Sequence, residues 1–157
     1  MLTVKTYLAP SGIHGIGLYA AEDIPEGSPV WRFTPGIDLA YSVLQFRRIC
    51  CGLDETALRH LSVATYKRSN RYFLVTDNTR FINHSDFDYN VVLIDDYTEI
   101  AMRDIRCGEE ILENYNLSYD NDDLFFLEMK NICEAERMLV LPAKERRRFL
   151  VKSKDVH

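Results

Sequence analysis

The sequence predicts a mainly β domain with a helical insert and a helical C-terminal part. Short β-prone runs broken by Gly and Pro fill the first third of the chain, and strand-like runs resume between residues 72 and 115. Apolar residues follow helical spacing in residues 38–68 and again from Asp122 onward. The chain has 157 residues, of which 46% are hydrophobic, so one domain with a hydrophobic core is expected and a disordered chain is not.

The first third predicts strands joined by tight turns. Leu2–Val4 and Gly15–Ala20 are β-prone runs, and Ala9–Gly12 between them is rich in turn-forming residues. Gly and Pro interrupt the run Asp23–Trp31 in the same way. We therefore expect hairpins here rather than helices.

Residues 38–68 predict the helical insert. Apolar residues within 39–49 approximate helical spacing, and Asp38 is the expected N-cap of this first helix. Asp54 is the expected cap of a second helix. The apolar face of the second helix carries Leu58, Leu61 and Ala64. The insert also carries five basic residues, Arg47, Arg48, Arg59, Lys67 and Arg68.

Five strands are predicted after the insert. They are Tyr72–Val75, Arg80–Ile82, Val91–Ile94, Thr98–Met102 and Ile111–Tyr115. From Asp122 an apolar stripe predicts a helix, and the basic stretch after it is expected to be a solvated tail, with a helix face or a nucleic-acid contact as alternatives. We therefore divide the chain into a domain at residues 1–120 and a C-terminal helical extension with a basic tail at residues 121–157.

The net charge of −5 is unevenly distributed along the chain. Between His84 and Asp123 there are twelve acidic residues, and only Arg103 and Arg106 oppose them. A field of this sign favours a basic protein partner and disfavours nucleic acid. A solvated acidic surface without a partner has the same composition, so both interpretations stay open.

The sequence does not indicate secretion, membrane insertion or metal binding. No apolar run approaches the ~20 residues of a membrane span, and residues 1–12 lack the apolar core of a signal peptide. We therefore expect an intracellular location, cytoplasmic or nuclear, without a membrane partner. The four cysteines form no C-x-x-C pair and no cluster with zinc spacing, so neither a metal site nor a disulfide framework is expected. The oligomeric state is left open.

Three stretches that carry chemically useful residues occur in a fixed order. They are SGIHGIGLYAAEDIPEG at Ser11–Gly27, RFINHS at Arg80–Ser85 and IRCGEEILENY at Ile105–Tyr115. Each alone has an ordinary explanation, such as a tight turn at Gly15 and Gly17. Together, in this order, they resemble the SET-domain family of protein lysine methyltransferases over about residues 8–119.

The resemblance implies a fold, a cofactor and a set of cofactor-binding residues. The SET-domain fold consists of short twisted sheets with a pseudoknot, in which the Asn83–Ser85 segment runs under the segment that carries the catalytic tyrosine. The cofactor would be S-adenosylmethionine, whose polar groups need partners when they lose water. The residues that the resemblance assigns to the cofactor are His14, Gly15, Ile16, Gly17, Asn83, His84 and Tyr115.

The same resemblance implies methyl transfer to a lysine side chain of a protein. Tyr115 matches the catalytic tyrosine, whose hydroxyl would orient the methyl group and the amine. An apolar channel would favour the neutral form of that amine. Tyr72 and Phe81 would contact the substrate, although Tyr72 is equally explained as strand core. Further wall residues after the catalytic tyrosine would be Tyr119, Phe125 and Phe126.

The chain departs from the family pattern in three places. The family's C-x-P-N after Asn-His-Ser is replaced by DFDYN at residues 86–90, and Glu113 stands where the family usually has an aromatic residue. No cysteine cluster follows Tyr115, so the zinc module that closes the channel in many members is not expected. Two hypotheses therefore remain, a methyltransferase acting on a basic, histone-like segment and a catalytically inactive SET-fold interaction module. Nucleic-acid binding is disfavoured by the acidic charge.

Overall fold

The computed structural model describes residues 1–120 of the chain. Within these residues the protein is mainly β, as predicted, with ten short strands in three sheets. The strands are β1 (Thr6–Pro10), β2 (Ile16–Ala20), β3 (Pro29–Arg32), β4 (Leu39–Ser42), β5 (Thr65–Arg68), β6 (Arg71–Leu74), β7 (Asn83–His84), β8 (Val91–Asp95), β9 (Thr98–Ala101) and β10 (Leu112–Glu113). The helices are α1 (Val43–Cys51), α2 (Glu55–Ser62) and α3 (Tyr115–Ser118), with a 3-10 helix at Asn78–Phe81.

The N-terminal part forms an antiparallel hairpin of β1 and β2. Its turn is closed by a hydrogen bond from the Ser11 N–H to the Gly15 carbonyl (3.0 Å). The prediction of a turn at Ala9–Gly12 is wrong in its first half, because β1 pairs with β2 as far as Pro10 and the turn begins only at Ser11. Leu2, predicted to lie in a strand, contributes an isolated bridge only.

Strands frame the helical insert on both sides. β4, β6 and β5 form a three-stranded sheet, so the predicted helical insert at residues 38–68 is helical only in its middle. The N-cap of α1 is Ser42 rather than Asp38, because Ser42 and Gln45 form a reciprocal capping box. Asp38 is instead buried and accepts a hydrogen bond from the N-terminal ammonium group (2.7 Å). Asp54 caps α2, as predicted.

The main sheet has the strand order β3–β9–β8–β10–β7. β10 pairs in parallel with both β7 and β8, although residues 85–90 connect those two strands directly. The later segment therefore passes between two strands that are neighbours in sequence, which is the crossing that the resemblance implies. Asn90 holds this crossing, since its side chain bonds to the Glu110 carbonyl (2.8 Å) and accepts the Leu112 N–H (2.9 Å).

Of the strands predicted after the insert, one is absent and one ends too late. Arg80–Ile82 is not a strand, because the Asp77 side chain accepts a backbone N–H (3.0 Å) and caps a 3-10 helix that runs into it. Strand geometry begins only at Asn83. The last predicted strand does not extend to Tyr115, because the Asn114 side chain accepts a backbone N–H (3.0 Å) and starts α3. In both cases a short polar side chain begins a helical turn inside a β-prone run.

The main hydrophobic core is formed by the β1–β2 hairpin and the main sheet. Its buried members are Leu18, Ala20, Ile24, Val30, Ile82, Val91, Ala101, Ile105 and Ile111. A second cluster lies under the insert and contains Phe46, Cys50, Leu58 and Tyr72. Because Ile82 belongs to the main core, it fixes the segment from which Asn83 and His84 follow.

Residues 1–120 contain no helix that is long and apolar enough to cross a membrane. The same residues contain no group of three or more His, Cys, Asp or Glu side chains that could hold a metal ion. The predicted C-terminal helix and basic tail at residues 121–157, including Phe125 and Phe126, lie outside the described part of the chain.

Candidate active site

Tyr115 is fixed at both its backbone and its hydroxyl. As the first residue of α3 it donates its N–H to His84 Nδ1 (3.1 Å), and its hydroxyl donates to the Ile82 carbonyl. Partial burial, followed by the nearby carboxyl groups of Glu113 and Glu99, raises the pKa of Tyr115 to about 12. The hydroxyl therefore keeps its proton at neutral pH, and its oxygen lone pairs remain available to accept a hydrogen bond.

The rebuilt loop after Asn-His-Ser orients His84. His84 Nδ1 accepts the Tyr115 N–H, so the ring proton lies on Nε2, which is 3.2 Å from Asp86 Oδ1. The same Asp86 oxygen accepts from Asn116 Nδ2 (3.2 Å). The Asp that replaces the family's cysteine thus ties β7 to α3 and sets the ring orientation of His84.

Asn83 connects β7 to the turn of the first hairpin. Its side-chain amide group lies 3.1 Å from the His14 carbonyl, 3.4 Å from the Ile16 carbonyl and 2.9 Å from Glu110 Oε1. Only 9% of Asn83 is exposed. The predicted cofactor residues of the first and second motifs are therefore brought together by one side chain, whose amide protons are directed at the protein itself.

Glu110 is a central residue of this region that the sequence analysis did not single out. Besides Asn83, its carboxylate accepts hydrogen bonds from Ser11 Oγ (3.1 Å) and from the Tyr19 hydroxyl (3.2 Å). A Cβ atom placed on Gly17 would lie 2.2 Å from Glu110 Oε1, so the second glycine of the turn motif leaves room for this carboxylate. In the sequence Glu110 is the second Glu of the G-E-E pattern, and that pattern does not indicate which distant residues contact it.

Gly15 and its neighbours form the exposed tip of the hairpin. Gly15 has a φ of 53°, in the left-handed region, and no atom lies within 4 Å of the position that its Cβ would occupy. His14 and Ile16 on either side are exposed. The glycine therefore allows the turn to form without a side chain covering its backbone.

A cavity of about 390 Å³ lies on the other side of the segment at residues 82–84. Tyr115 and the predicted substrate residue Tyr72 both line it. Phe81 does not line it, because its side chain packs against the main core and lies under the Arg80 guanidinium (4.9 Å from the ring centroid). The further lining residues include Tyr66, Lys67, Thr79, Arg80, Ile82, Tyr119 and Asp120.

A sequence model of the SET domain matches residues 15–116, which is well over half of the chain. The chain belongs to the SET-domain family. Its three motifs lie within this match or overlap it, and the crossing of β10 between β7 and β8 joins the second motif to the third. No curated protein matches the chain with significance.

Solved structures show the same fold. CpSET8 from Cryptosporidium is 22% identical with a TM-score of 0.52, and the match covers 74% of this chain and 58% of that one. A chain of the Chaetomium thermophilum Polycomb Repressive Complex 2, in a humanized mutant, is 24% identical with a TM-score of 0.51, and the match covers 75% of this chain and 16% of that one. A candidate histone methyltransferase from Plasmodium falciparum is 19% identical with a TM-score of 0.47, and the match covers 73% of this chain and 95% of that one. At these identities the likeness is one of fold alone.

The SET domain builds one wall of its cavity from tyrosine rings that contact one another at tilted angles. The ring centroid of Tyr119 lies 4.8 Å from that of Tyr66 and 5.3 Å from that of Tyr115. On the opposite strand Tyr72 stacks on Phe46 at 4.3 Å. Tyr119 thus lies at the cavity, as one of the three wall residues suggested after the catalytic tyrosine, while the other two fall outside the described residues.

Behind this wall the SET domain buries two glutamates, neither of which was predicted to act in the site. Glu99 on β9 and Glu113 on β10 are 3% and 2% exposed. Glu113 Oε2 accepts the Tyr119 hydroxyl at 2.5 Å. In the sequence Glu113 was noticed only as a departure from the family pattern, and Glu99 gave no signal, because its burial depends on strand pairing across the sheet.

Proposed function

We propose that this SET domain is a protein-lysine methyltransferase that uses S-adenosylmethionine. The observation that carries the proposal is the position of Tyr115, whose hydroxyl bonds to the Ile82 carbonyl at the boundary between two regions. Tyr115 lines the tyrosine-walled cavity, and its N–H bonds to His84, the neighbour of Asn83, whose side chain bonds to the hairpin tip at His14. A reaction that joins a cofactor to a side chain from a second molecule requires such a boundary.

The residues at the hairpin tip fit the proposed cofactor. Gly15 leaves open space where a side chain would otherwise stand, so a ligand can reach the backbone polar groups of His14, Gly15 and Ile16. The backbone of His84 is held by β10, where Glu113 pairs with it. We assign cofactor binding to His14, Gly15, Ile16, Gly17, Asn83, His84 and Tyr115. Within this set the side chain of Asn83 and the absent side chain of Gly17 maintain the turn.

The tyrosine-walled cavity suits the lysine side chain. Aromatic rings hold an alkyl stem by apolar contact and tolerate a cationic head, and Tyr66, Tyr72 and Tyr119 provide such rings. Bound S-adenosylmethionine would supply an electrophilic methyl group on a sulfonium. Because the Tyr115 hydroxyl proton is committed to the Ile82 carbonyl, its oxygen can accept a hydrogen bond from the incoming amine and orient the nitrogen lone pair.

We also propose a basic, histone-like segment as the substrate, on the basis of the acidic balance of residues 84–123. The cavity itself is lined by Lys67, Arg80 and Asp120. Asp120 accepts the N–H groups of Ser69 (3.1 Å) and Asn70 (3.0 Å). Contacts with basic flanking residues would therefore be made outside the cavity.

The proposal is tested by methyl transfer from labelled S-adenosylmethionine to a histone mixture and to lysine peptides. Wild-type protein should label lysine, and Tyr115→Phe should lower the rate at least ~100-fold, which is the usual size of such a contribution. Within residues 1–120 the Tyr97 hydroxyl bonds only to Arg71 (3.3 Å), outside the site, so Tyr97→Phe should keep the wild-type rate. Absence of label on every substrate would contradict the proposal.

A thermal melt separates loss of activity from loss of the cofactor. A ligand at ~100 times its Kd stabilises a protein by ~2.7 kcal/mol, so S-adenosylmethionine should raise Tm by several degrees. Asn83→Ala should abolish this shift, because it removes the link between the hairpin tip and β7. A shift in Tm without methyl transfer to any substrate would favour the inactive interaction module.

A further inference from the structure

Two buried carboxyl groups face each other on the main sheet. Glu99 on β9 lies opposite Leu93 of β8, and Glu113 on β10 lies opposite Val91 of β8. Residues 91 and 93 of one strand point to the same face, so both glutamates lie on that face. Hydrogen bonding with Glu113 is among the causes that raise the pKa of Glu99.

Two carboxyl groups in contact require a proton between them, because ionised carboxylates only accept hydrogen bonds. Burial, followed by the charge of Glu113, raises the pKa of Glu99 well above its usual value, and the Arg68 guanidinium opposes this rise. Arg68 is itself buried, and its Nε atom has no hydrogen-bond partner among the described residues. Glu99 therefore favours its protonated form, which can donate a hydrogen bond to Glu113, while the nearby Arg68 favours the ionised form.

The pair has room for a second proton. Among the described residues, Glu113 Oε1 is buried without a hydrogen-bond partner. Its other oxygen, Oε2, accepts the Tyr119 hydroxyl at 2.5 Å. Tyr119 in turn lines the cavity, with its ring 5.3 Å from that of Tyr115. A single hydroxyl group thus separates the buried carboxylate from the space assigned to the substrate.

The proposed reaction needs a proton acceptor in this place. A lysine side chain arrives as an ammonium ion, with an ordinary pKa of ~10.4, and must become neutral before it can attack a methyl group. Asp120 is the one carboxylate among the described residues that line the cavity, and both of its oxygens accept N–H groups of the β5–β6 turn. The Glu99–Glu113 pair is the remaining acceptor within one hydrogen bond of the cavity wall.

We propose that Glu113 accepts the proton of the target lysine through the hydroxyl of Tyr119. This inference rests on the proposed methyltransferase function. The ammonium gives one proton to the Tyr119 oxygen while the Tyr119 hydroxyl proton passes to Glu113 Oε2. Tyr119 is neutral before and after the step, the amine gains its lone pair, and the carboxyl pair loses its negative charge. After the product leaves, the proton returns by the same path to water in the cavity.

The titratable and charged groups around the Glu99–Glu113 pair come from several elements. Glu113 acts on Glu99, on Tyr66 of β5, on Tyr115 of α3 and on Tyr119 at the end of α3, whereas Arg68 of β5 and Asp77 before the 3-10 helix act on Glu99. Arg68 stabilises the ionised form of the pair, whereas Asp77 and burial oppose it. The hydroxyl protons of Tyr66, Tyr115 and Tyr119 are retained at neutral pH, because burial raises the pKa of each.

The test is the pH dependence of methyl transfer in wild type, Glu113→Gln and Tyr119→Phe. Both variants should lower kcat ~100-fold near pH 7.5 with little change in KM. Their kcat/KM should then rise about tenfold per pH unit toward pH 10, as the neutral amine becomes available from solution. The wild-type profile should be flat over the same range.

Tyr66→Phe is the matched control, since it removes a hydroxyl from the same wall that makes no hydrogen bond to Glu113 among the described residues. Any loss that it causes should be independent of pH. The inference is overturned if Glu113→Gln and Tyr119→Phe keep the wild-type rate, or if their deficit is the same at every pH, because a purely structural role would have that result. If Glu113→Gln does not fold, Tyr119→Phe alone decides. If the wild-type protein transfers no methyl group at any pH, the proposed function and this inference are both overturned. If the wild type is active, the two variants test this inference separately from the proposed function.

Discussion

Gly17 leaves space for the carboxylate of Glu110, a residue that is distant from it in sequence. Glu110 reaches Ser11, 99 residues away in sequence, as well as Asn83 and Tyr19. The glycine contributes through the volume that it leaves empty, since a Cβ would lie 2.2 Å from Glu110 Oε1. A methyl group added at this position would displace the Glu110 carboxylate and so weaken the hydrogen bonds that connect the three motifs.

Gly17→Ala should therefore destabilise the protein by about 1–3 kcal/mol, as overpacked sites usually do. The expected fall in Tm is about 2–4 °C per kcal/mol. Gly12→Ala is the matched control, because no atom lies within 4 Å of the position its Cβ would take. Equal melting curves for the two alanine variants would show that Glu110 moves aside without cost.

The sequence predicted which residues belong to the site better than what each one does. Tyr115, Asn83 and His84 were found from ordered motifs, and their roles toward a cofactor stay predictions. Glu110 was missed because its partners are set by the crossing of strands, and no local spacing reports that crossing. Phe81 was expected at the substrate from the family resemblance, whereas its side chain packs against the main core at the end of the 3-10 helix.

At the scale of elements, the crossing of β10 depends on very few backbone pairs. β10 has two residues, and Asn90 supplements them with side-chain bonds to Glu109 Oε1 (3.1 Å), the Glu110 carbonyl and the Leu112 N–H. Asn90 is 1% exposed and its hydrogen bond from the Leu112 N–H is buried, so that N–H would lose its partner away from water. The buried Asn90 side chain thus provides hydrogen bonds that additional backbone pairs would provide in a longer strand.

Asn90→Ala should destabilise the protein by at least about 2 kcal/mol, because it leaves buried backbone groups without partners. Denaturant unfolding would measure the change. Asn116→Ala, which removes one hydrogen bond of an exposed side chain to Asp86, should cost less than about 1 kcal/mol. Similar costs for the two variants would argue against a special role of Asn90 in the crossing.

Strands and helices whose apolar residues follow a clear strand or helix period were predicted well. Short helices that begin at a capping side chain within a β-prone run were not. Val91–Asp95, Thr98–Ala101 and α2 lie where β-propensity and helical spacing placed them. The 3-10 helix and α3 begin at Asp77 and Asn114, whose side chains compete locally with the strand ladder. The crossing of the two segments came from the family resemblance, and the strand order was not predicted, since pairing between distant segments leaves no pattern in the residues.

At the scale of the whole molecule, the buried pair of glutamates makes stability depend on pH. The pKa of Glu99 is higher in the folded protein than its usual value of 4.5, because of burial and the Glu113 charge. The folded state therefore binds more protons than the unfolded state above about pH 4.5, and stability falls as the pH rises from there toward the folded pKa.

Glu99→Gln should remove this loss, since an amide cannot ionise and can still donate to Glu113. Its Tm relative to wild type should increase between pH 5 and pH 8. Glu22 is the opposite case, because hydrogen bonds from Lys5 lower its pKa, and Glu22→Gln should bring no such gain at high pH. Parallel Tm curves for wild type and Glu99→Gln would contradict the shared proton.

The insertion of β10 between β7 and β8 has a consequence for the order of assembly. Until residues 112–113 enter, β8 has an open edge and β7 has no neighbour in the main sheet. Contacts that join such distant segments raise the contact order and slow the search for the native topology. In a newly synthesised chain we therefore expect Tyr115 to form its hydrogen bonds with the Ile82 carbonyl and with His84 in one late event, after the other hairpins have formed. We expect Tyr115, His84 and Asn83 to come together only after the rest of the domain has folded.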